Sequence, residues 1–353
     1  MNKLIPKRIE EMREYVPDTS SPKIKLDANE SPYDTPKSVI AAIEKAVSFE
    51  NINRYPDPDM TEMLNAYGKY IGVEKERLVA GDGSDELIAL IINTFLADGG
   101  RIVICEPDFS MYRFYSEFSG TDIVSYKKKD GMDIDFNELA ELCKAEKAGL
   151  VIISNPCNPT GVMYDRKTLL DFTDSVDAVV VIDEAYMEFA PNPESVIDVT
   201  AERDNLIVLK TVSKIGLAGL RCGFAVSNKA LISALKKTKS PYNMNTVTQV
   251  AVAAAMGEFS AFKENIEKIK DGVRYLYNGL KPLEESLRFR MRQSNANFVF
   301  LRFESKENGL KIAELLREKG ISVRFTGGGM RITAGTPAEN ESLVTEMKNI
   351  ALQ

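Results

Sequence analysis

The sequence predicts an α/β protein, with a large domain built on a mostly parallel mixed sheet flanked by helices and a smaller α+β domain beside it. Three observations carry that expectation. Five short runs rich in β-branched residues, at 101–105, 150–153, 178–182, 206–209 and 223–226, lack clear polar alternation and end at Pro, Asn, Asp or Ser. Such runs read as strands buried on both faces. Helical patterns at 135–145 and 165–176 lie between several of them, and alternating strand and helix implies parallel pairing with helices on both faces. The chain has 353 residues, which at ~150 residues per domain suggests two domains.

The elements follow in chain order. Residues 1–30 hold Pro6, Pro17 and Pro22 and show little periodicity. They read as an arm, part of the small domain or of a dimer contact. Residues 31–264 carry the five runs and read as the large domain. Near residue 258 the character changes. A long helical pattern at 262–280 is followed by a strand at 298–303 and a helix at 310–319. Strands at 321–325 and 330–333 flank a turn at Gly327, Gly328 and Gly329, and a helix at 339–352 closes the chain. Residues 265–353 therefore read as the small domain. In a sheet of this class, functional residues gather beyond the C-terminal strand ends.

Composition excludes several functions. Apolar residues make up 44% and charged residues 27%, which is ordinary for a globular protein. With 45 Lys and Arg against 52 Asp and Glu, the net charge is −7, so no nucleic-acid partner is expected. There is no His, which removes Ser-His-Asp and Cys-His catalysis and His-ligated zinc, and no metal is expected. The four Cys, at 105, 143, 157 and 222, form no CxxC pair and read as free thiols. The apolar stretch 87–97 is interrupted by Asn93 and Thr94 and falls short of the ~20 residues a membrane helix needs. The charged N-terminus lacks the apolar centre of a signal peptide. The expectation is a cytoplasmic protein without a membrane partner.

Four motifs could carry chemistry. After the run at 150–153 comes Asn155-Pro-Cys-Asn-Pro-Thr-Gly161, a forced turn that would present the Asn158 amide. Asp183 follows the run at 178–182. An acid there needs a cation or donors, unless it merely caps a helix. Thr211-Val-Ser-Lys214 follows the run at 206–209 and precedes an apolar, glycine-containing stretch and Arg221. A lysine in such surroundings can be a nucleophile or base, although a lone lysine is usually a surface residue. Gly81-Asp-Gly-Ser-Asp-Glu86 opens a helical run. It reads as an anion site at a helix N-terminus or as a plain capped start, and it fits neither a Walker loop nor a dinucleotide fingerprint. Taken together, the set suits pyridoxal phosphate, which needs a Schiff-base lysine, an acid at its ring nitrogen and a phosphate cradle.

The chain resembles the fold type I pyridoxal-phosphate aminotransferases, and within them most closely the histidinol-phosphate group. The resemblance runs nearly end to end. It includes Leu26-Asp-Ala-Asn-Glu30, Asn53-Arg-Tyr-Pro56, Gly83-Ser-Asp-Glu86, Asn155 to Gly161, Asp183-Glu-Ala-Tyr186, Ser213-Lys214, Leu217-Ala-Gly-Leu-Arg221 and Arg331-Ile-Thr-Ala-Gly335. It implies that Lys214 forms the Schiff base with pyridoxal 5′-phosphate and later moves the proton. It implies that Asp183 pairs with the ring nitrogen, that Asn158 and Tyr186 bond the ring hydroxyl, and that Phe109 stacks on the ring. Ser84, Asp85, Thr211, Ser213 and Arg221 would hold the phosphate. Tyr55 would reach the phosphate of a partner subunit, which makes the active unit a homodimer. Arg331 would grip the substrate carboxylate and Arg324 the phosphate of histidinol phosphate, while Tyr15 and Asn29 line the substrate pocket.

The implied reaction converts histidinol phosphate and 2-oxoglutarate to imidazole acetol phosphate and glutamate. Similar motif sets occur in aromatic amino-acid aminotransferases and in lyases that decarboxylate phosphothreonine. The same fold also serves DNA-binding regulators, but no basic cluster supports that role here. The sequence departs from the family pattern in three places. The Lys214-to-Arg221 spacing is one residue short, Phe109 replaces the more common Tyr, and the segment between Arg324 and Arg331 is short and glycine-rich.

Overall fold

The computed structural model describes residues 4–12, 14, 21–50 and 52–352. Among the described residues, twelve strands form two sheets. In chain order they are β1 Ile24–Leu26, β2 Leu78–Asp82, β3 Arg101–Glu106, β4 Asp122–Lys127, β5 Ala148–Ser154 and β6 Val179–Asp183. They continue as β7 Leu206–Thr211, β8 Cys222–Val226, β9 Phe289–Arg290, β10 Phe298–Phe303, β11 Ile321–Thr326 and β12 Gly329–Thr333. Seven strands form the larger sheet in the order β2-β8-β7-β6-β5-β3-β4. Strands β3 to β7 are parallel, and β8 alone runs against both its neighbours, β7 and β2. All five expected runs are strands of this sheet.

Their continuous apolar character has the anticipated cause. Along β5, Leu150 and Ile152 pack into one hydrophobic cluster and Val151 and Ile153 into another. In β7, Ile207 and Leu209 face one cluster while Leu206 and Val208 face the other. A strand that feeds a core on each side cannot alternate with polar residues. One cluster is covered by the helix Gly83–Phe95, through Leu87, Ile88, Ile91 and Ile92. That helix also fixes one end of the site described below.

The second sheet has the order β1-β11-β12-β10-β9, antiparallel except where β1 lies parallel to β11. The arm therefore supplies an edge strand to this sheet, and Leu26 is fully buried. Three residues are too few to show a period. The helix Lys263–Leu280 runs across the boundary expected near residue 265. The helix expected at 310–319 begins earlier, at Lys306, where the Ser305 hydroxyl accepts the Asn308 amide. At the β11–β12 turn, Gly327 has φ +58° and lies so close to Pro107 and Pro159 that an added Cβ would sit 2.9 Å from each. Backbone conformation and close approach both call for glycine there, and the contact seats this turn on the two loops beyond β3 and β5.

Among the described residues, no helix is long and apolar enough to cross a membrane.

Candidate active site

The parallel strands bring distant residues to one edge. Asp108 follows β3, Ser154 ends β5, Asp183 ends β6 and Thr211 ends β7. Because β8 is reversed, Arg221 at its start meets the same edge, and so does the helix that begins at Gly83 after β2. Asn29, Ser84, Asp85, Phe109, Asn158, Asp183, Tyr186, Thr211, Ser213, Lys214, Arg221, Arg324 and Arg331 all line one cavity of about 370 Å³. Two expected residues are not among them. Tyr15 lies outside the described residues. Tyr55 is 81% exposed, outside the cavity, and stacks on Tyr242 with centroids 4.7 Å apart.

At one end sits an anion cradle. The first amides of the helix Gly83–Phe95 have no partner within the helix, and its dipole favours negative charge there. Strand β8 passes so close that a Cβ on Gly223 would lie 2.5 Å from the Ser84 nitrogen. The Ser213 amide donates to Thr211 Oγ1 at 3.1 Å, and the Thr211 and Ser213 hydroxyl oxygens are 2.9 Å apart. Arg221 adopts a left-handed conformation, φ 48° and ψ 60°, after the turn Ala218–Leu220. This swings its guanidinium back to the helix start, where Nη2 lies 3.2 Å from Asp85 Oδ2. The shortened spacing from Lys214 is thus absorbed by the turns between them, and Arg221 still reaches the cradle.

In the middle, Asp183 is held on both oxygens. The Ala185 amide donates to Oδ1 at 3.0 Å, and the Tyr112 hydroxyl donates to Oδ2 at 2.8 Å. Burial pushes its carboxyl up to about 6, against these two hydrogen bonds. Lys214 Nζ stands 5.9 Å from the centroid of the Tyr186 ring. Phe109 packs edge-on to Tyr112, centroids 5.6 Å apart, and borders the cavity.

At the far end, Arg324 on β11 and Arg331 on β12 are direct cross-strand partners, so both side chains leave the same face. Arg331 donates from Nη1 to Asn158 Oδ1 at 2.8 Å and from Nη2 to the Asp27 carbonyl at 2.6 Å. With its oxygen thus engaged, the Asn158 amide has its NH₂ left for a ligand.

Sequence reasoning missed Tyr112, Asp108, Ser154 and Lys128. Asp108 Oδ1 accepts the Phe109 backbone amide at 2.8 Å and also the Ser154 hydroxyl, and Ser154 Oγ in turn accepts the backbone amide of Asn158 at 3.2 Å. Lys128 Nζ pairs with Asp108 Oδ2 at 3.1 Å, with both side chains fully buried. Lys128 also donates to Cys157 Sγ at 3.1 Å. Burial works against both charges of the pair. It wins at Asp108, whose carboxyl is raised, whereas at Lys128 the attraction of Asp108 together with that of the other groups around it outweighs burial and holds the ammonium charged. A lone Asp or Lys gives no sequence signal for such a pair. All four cysteines are free and buried.

These residues fit pyridoxal phosphate. The tight Gly223 passage leaves helix amides for a phosphate, the buried Asp183 suits a protonated ring nitrogen, and Lys214 opens onto the same cavity.

The comparisons agree with that fit. The sequence pattern of the family "Aminotransferase class I and II" matches residues 21–347. A histidinol-phosphate aminotransferase of Clostridium novyi (strain NT) is 36% identical over 99% of this chain and 97% of its own. One from Roseiflexus castenholzii is 37% identical over 93% of this chain and 90% of its own. The crystal structure of the histidinol-phosphate aminotransferase from Sinorhizobium meliloti, in complex with pyridoxal-5′-phosphate, superposes with a TM-score of 0.90. It covers 100% of this chain and 98% of its own at 22% identity, so that likeness speaks for the fold. The matches span both sheets and every element that lines the cavity, and the chain belongs to the class I and II aminotransferase family.

Proposed function

We propose that this chain is a pyridoxal 5′-phosphate-dependent aminotransferase that moves an amino group between histidinol phosphate and 2-oxoglutarate. The products would be imidazole acetol phosphate and glutamate. The observation that carries the reading is a single cavity holding Lys214, Asp183 and the anion cradle at one side and the paired Arg324 and Arg331 at the other.

The bound cofactor supplies an electron-withdrawing ring conjugated to the nitrogen of the substrate. The chain supplies the rest. The helix Gly83–Phe95, with Ser84, Asp85, Thr211, Ser213 and Arg221, binds the phosphate. Asp183 Oδ2 or Oδ1 holds the ring nitrogen's proton by charge pairing. Asn158 and Tyr186 donate to the ring oxygen, and Phe109 covers one ring face. Lys214 Nζ would be the base that takes the proton from the substrate α-carbon and returns it on the far side of the substrate nitrogen, at the cofactor carbon C4′. Arg331 binds a carboxylate and Arg324 a phosphate, which suits a site that alternates between a phosphorylated amine and a dicarboxylate. That pairing favours the phosphorylated substrate over an uncharged aromatic side chain.

The active unit in this reading is a homodimer in the cytoplasm. Phe49, Ile52 and Tyr55 are 77%, 75% and 81% exposed, three large side chains suited to a contact with a second copy, with Tyr55 reaching its cradle. The arm 1–30, large domain 31–264 and small domain 265–353 complete the organisation.

The test is the visible spectrum of purified protein loaded with pyridoxal phosphate. Histidinol phosphate should bleach the cofactor band at far lower concentration than phenylalanine, and Lys214→Ala should abolish turnover. Bleaching by phenylalanine alone would replace the substrate. Carbon dioxide release without a keto acid would replace the reaction with a lyase. No cofactor band at all would end the reading.

A further inference from the structure

The structure assigns Asn29 a role beyond lining the pocket: it fixes which way the Tyr186 hydroxyl proton points. The inference rests on the proposed cofactor reading and deepens it.

Asn29 is buried in the arm, at φ 56°. Its backbone amide donates to Thr333 Oγ1 at 3.0 Å, and its carbonyl accepts from Asn297 Nδ2 at 3.0 Å. Its side chain bridges two sheets. Oδ1 accepts the Thr333 hydroxyl at 3.0 Å, and Nδ2 donates to the Tyr186 hydroxyl oxygen at 2.9 Å.

The polarity of this chain of bonds is determined by counting protons. Thr333 Oγ1 already accepts the Asn29 amide, and its single proton needs an acceptor because the residue is buried. Asn29 Oδ1 is the acceptor it has among the described residues. Were the amide turned over, the Thr333 proton would be left without a partner and two donors would converge on Oγ1. The NH₂ of Asn29 therefore faces Tyr186. Tyr186 accepts there, so its own proton is directed elsewhere, and the open side of Tyr186 is the cavity. Its ring is held edge-on to Phe298, centroids 5.2 Å apart, so the phenol cannot swing away.

Asn29 is thus a positioning residue that makes Tyr186 a donor toward the oxygen of the cofactor ring. Thr333 sets Asn29, and Thr333 lies two residues after Arg331 on β12, on the same face. The strand that presents the substrate arginine also sets the polarity of the cofactor contact.

Two substitutions at one site separate polarity from packing. Asn29→Asp keeps shape and tolerates positive φ, but its carboxylate can only accept and would draw the Tyr186 proton away from the cavity. Asn29→Gly suits the backbone and leaves Tyr186 free to donate. The readouts are cofactor dissociation constant and the pH midpoint of the visible band, with melting curves to confirm folding. The charged groups that share the cavity with Tyr186, namely Lys25, Asp27, Asp85, Asp108, Asp183, Lys214, Arg221, Arg324 and Arg331, are unchanged in both variants.

Asn29→Asp should weaken cofactor binding about tenfold or more, the loss of one hydrogen bond to a charged group, and raise the midpoint. Asn29→Gly should change both far less. In a Tyr186→Phe background, introducing Asn29→Asp should change neither readout, whereas repulsion by the new charge alone would persist. Equal effects of the two substitutions, a larger loss in Asn29→Gly, or an effect of Asn29→Asp that survives Tyr186→Phe would overturn the inference. Failure of the wild-type protein to bind pyridoxal phosphate would instead remove the cofactor reading beneath it.

Discussion

Replacing Asp183 with Asn should stabilise the cofactor-free protein while disabling it. Asp183 is 4% exposed and its carboxyl is raised to about 6. In the unfolded chain an Asp titrates near ~3.9, and each unit of difference corresponds to about 1.4 kcal/mol. Between those two values the native state binds more protons than the unfolded one, so stability falls as pH rises through about 6. Above that window the charged group costs the fold about 3 kcal/mol, and below the unfolded value it costs nothing. An Asn keeps an acceptor for the Ala185 amide and presents an NH₂ to the Tyr112 oxygen, so the charging cost disappears at the smaller expense of turning the Tyr112 proton away from its acceptor. The assay is urea unfolding of cofactor-free protein at fixed concentration, at pH ~8 and pH ~5, on either side of the native midpoint. The gain for Asp183→Asn should approach ~3 kcal/mol at the higher pH and shrink at the lower. Catalysis should be lost at both, because the amide cannot pair with a cationic ring nitrogen. A variant no more stable than wild type at the higher pH, or a gain independent of pH, would refute the account of Asp183 as a carboxylate held at a cost for the cofactor.

Three further outcomes follow from the same geometry. Tyr112→Phe removes a donor from Asp183 Oδ2 and should destabilise the cofactor-free protein by about 1.5–3 kcal/mol above the native midpoint of Asp183. The loss should shrink below that midpoint, as read by the same unfolding curves. Lys128→Met strands the buried Asp108 carboxylate and should cost about 3–5 kcal/mol. Adding Asp108→Asn should recover most of that, and a double mutant as unstable as the single one would contradict the pairing. Gly223→Ala drives a methyl against the Ser84 nitrogen and should cost about 1–3 kcal/mol of stability. Cofactor affinity, measured by fluorescence titration, should fall with it, since the cradle amides must shift.

Much of this architecture is legible in the sequence because its physics is local. A strand covered on both faces must be apolar throughout, so β3, β5, β6, β7 and β8 announce themselves. Elements that are less buried, or whose apolar run is as short as the Leu78-Val79-Ala80 of β2, do not. Strand β4 is an edge strand, mostly part-exposed, and mixes Asp, Ser and Lys with its apolar residues. Strand β1 has three residues. The helices Lys37–Val47 and Thr61–Ile71 are flanked by proline-rich segments that suggest only loops, and sequence reasoning missed both.

The site divides in the same way. The sequence alone determined which residues stand at or just beyond strand ends, namely Asn158, Asp183 and Lys214, because each follows a buried run. Arg221 and Ser84 came with recognisable motifs. Only the tertiary structure decided what those residues face. Tyr112 meets Asp183 across 71 positions and Asn29 meets Tyr186 across 157. Lys128, which in isolation reads as a surface lysine, is buried against Asp108. Hydrogen-bond polarity and the charge of a buried acid depend on which groups are brought together and cut off from water. No spacing along the chain records that, because the partners are neighbours only after the chain has folded.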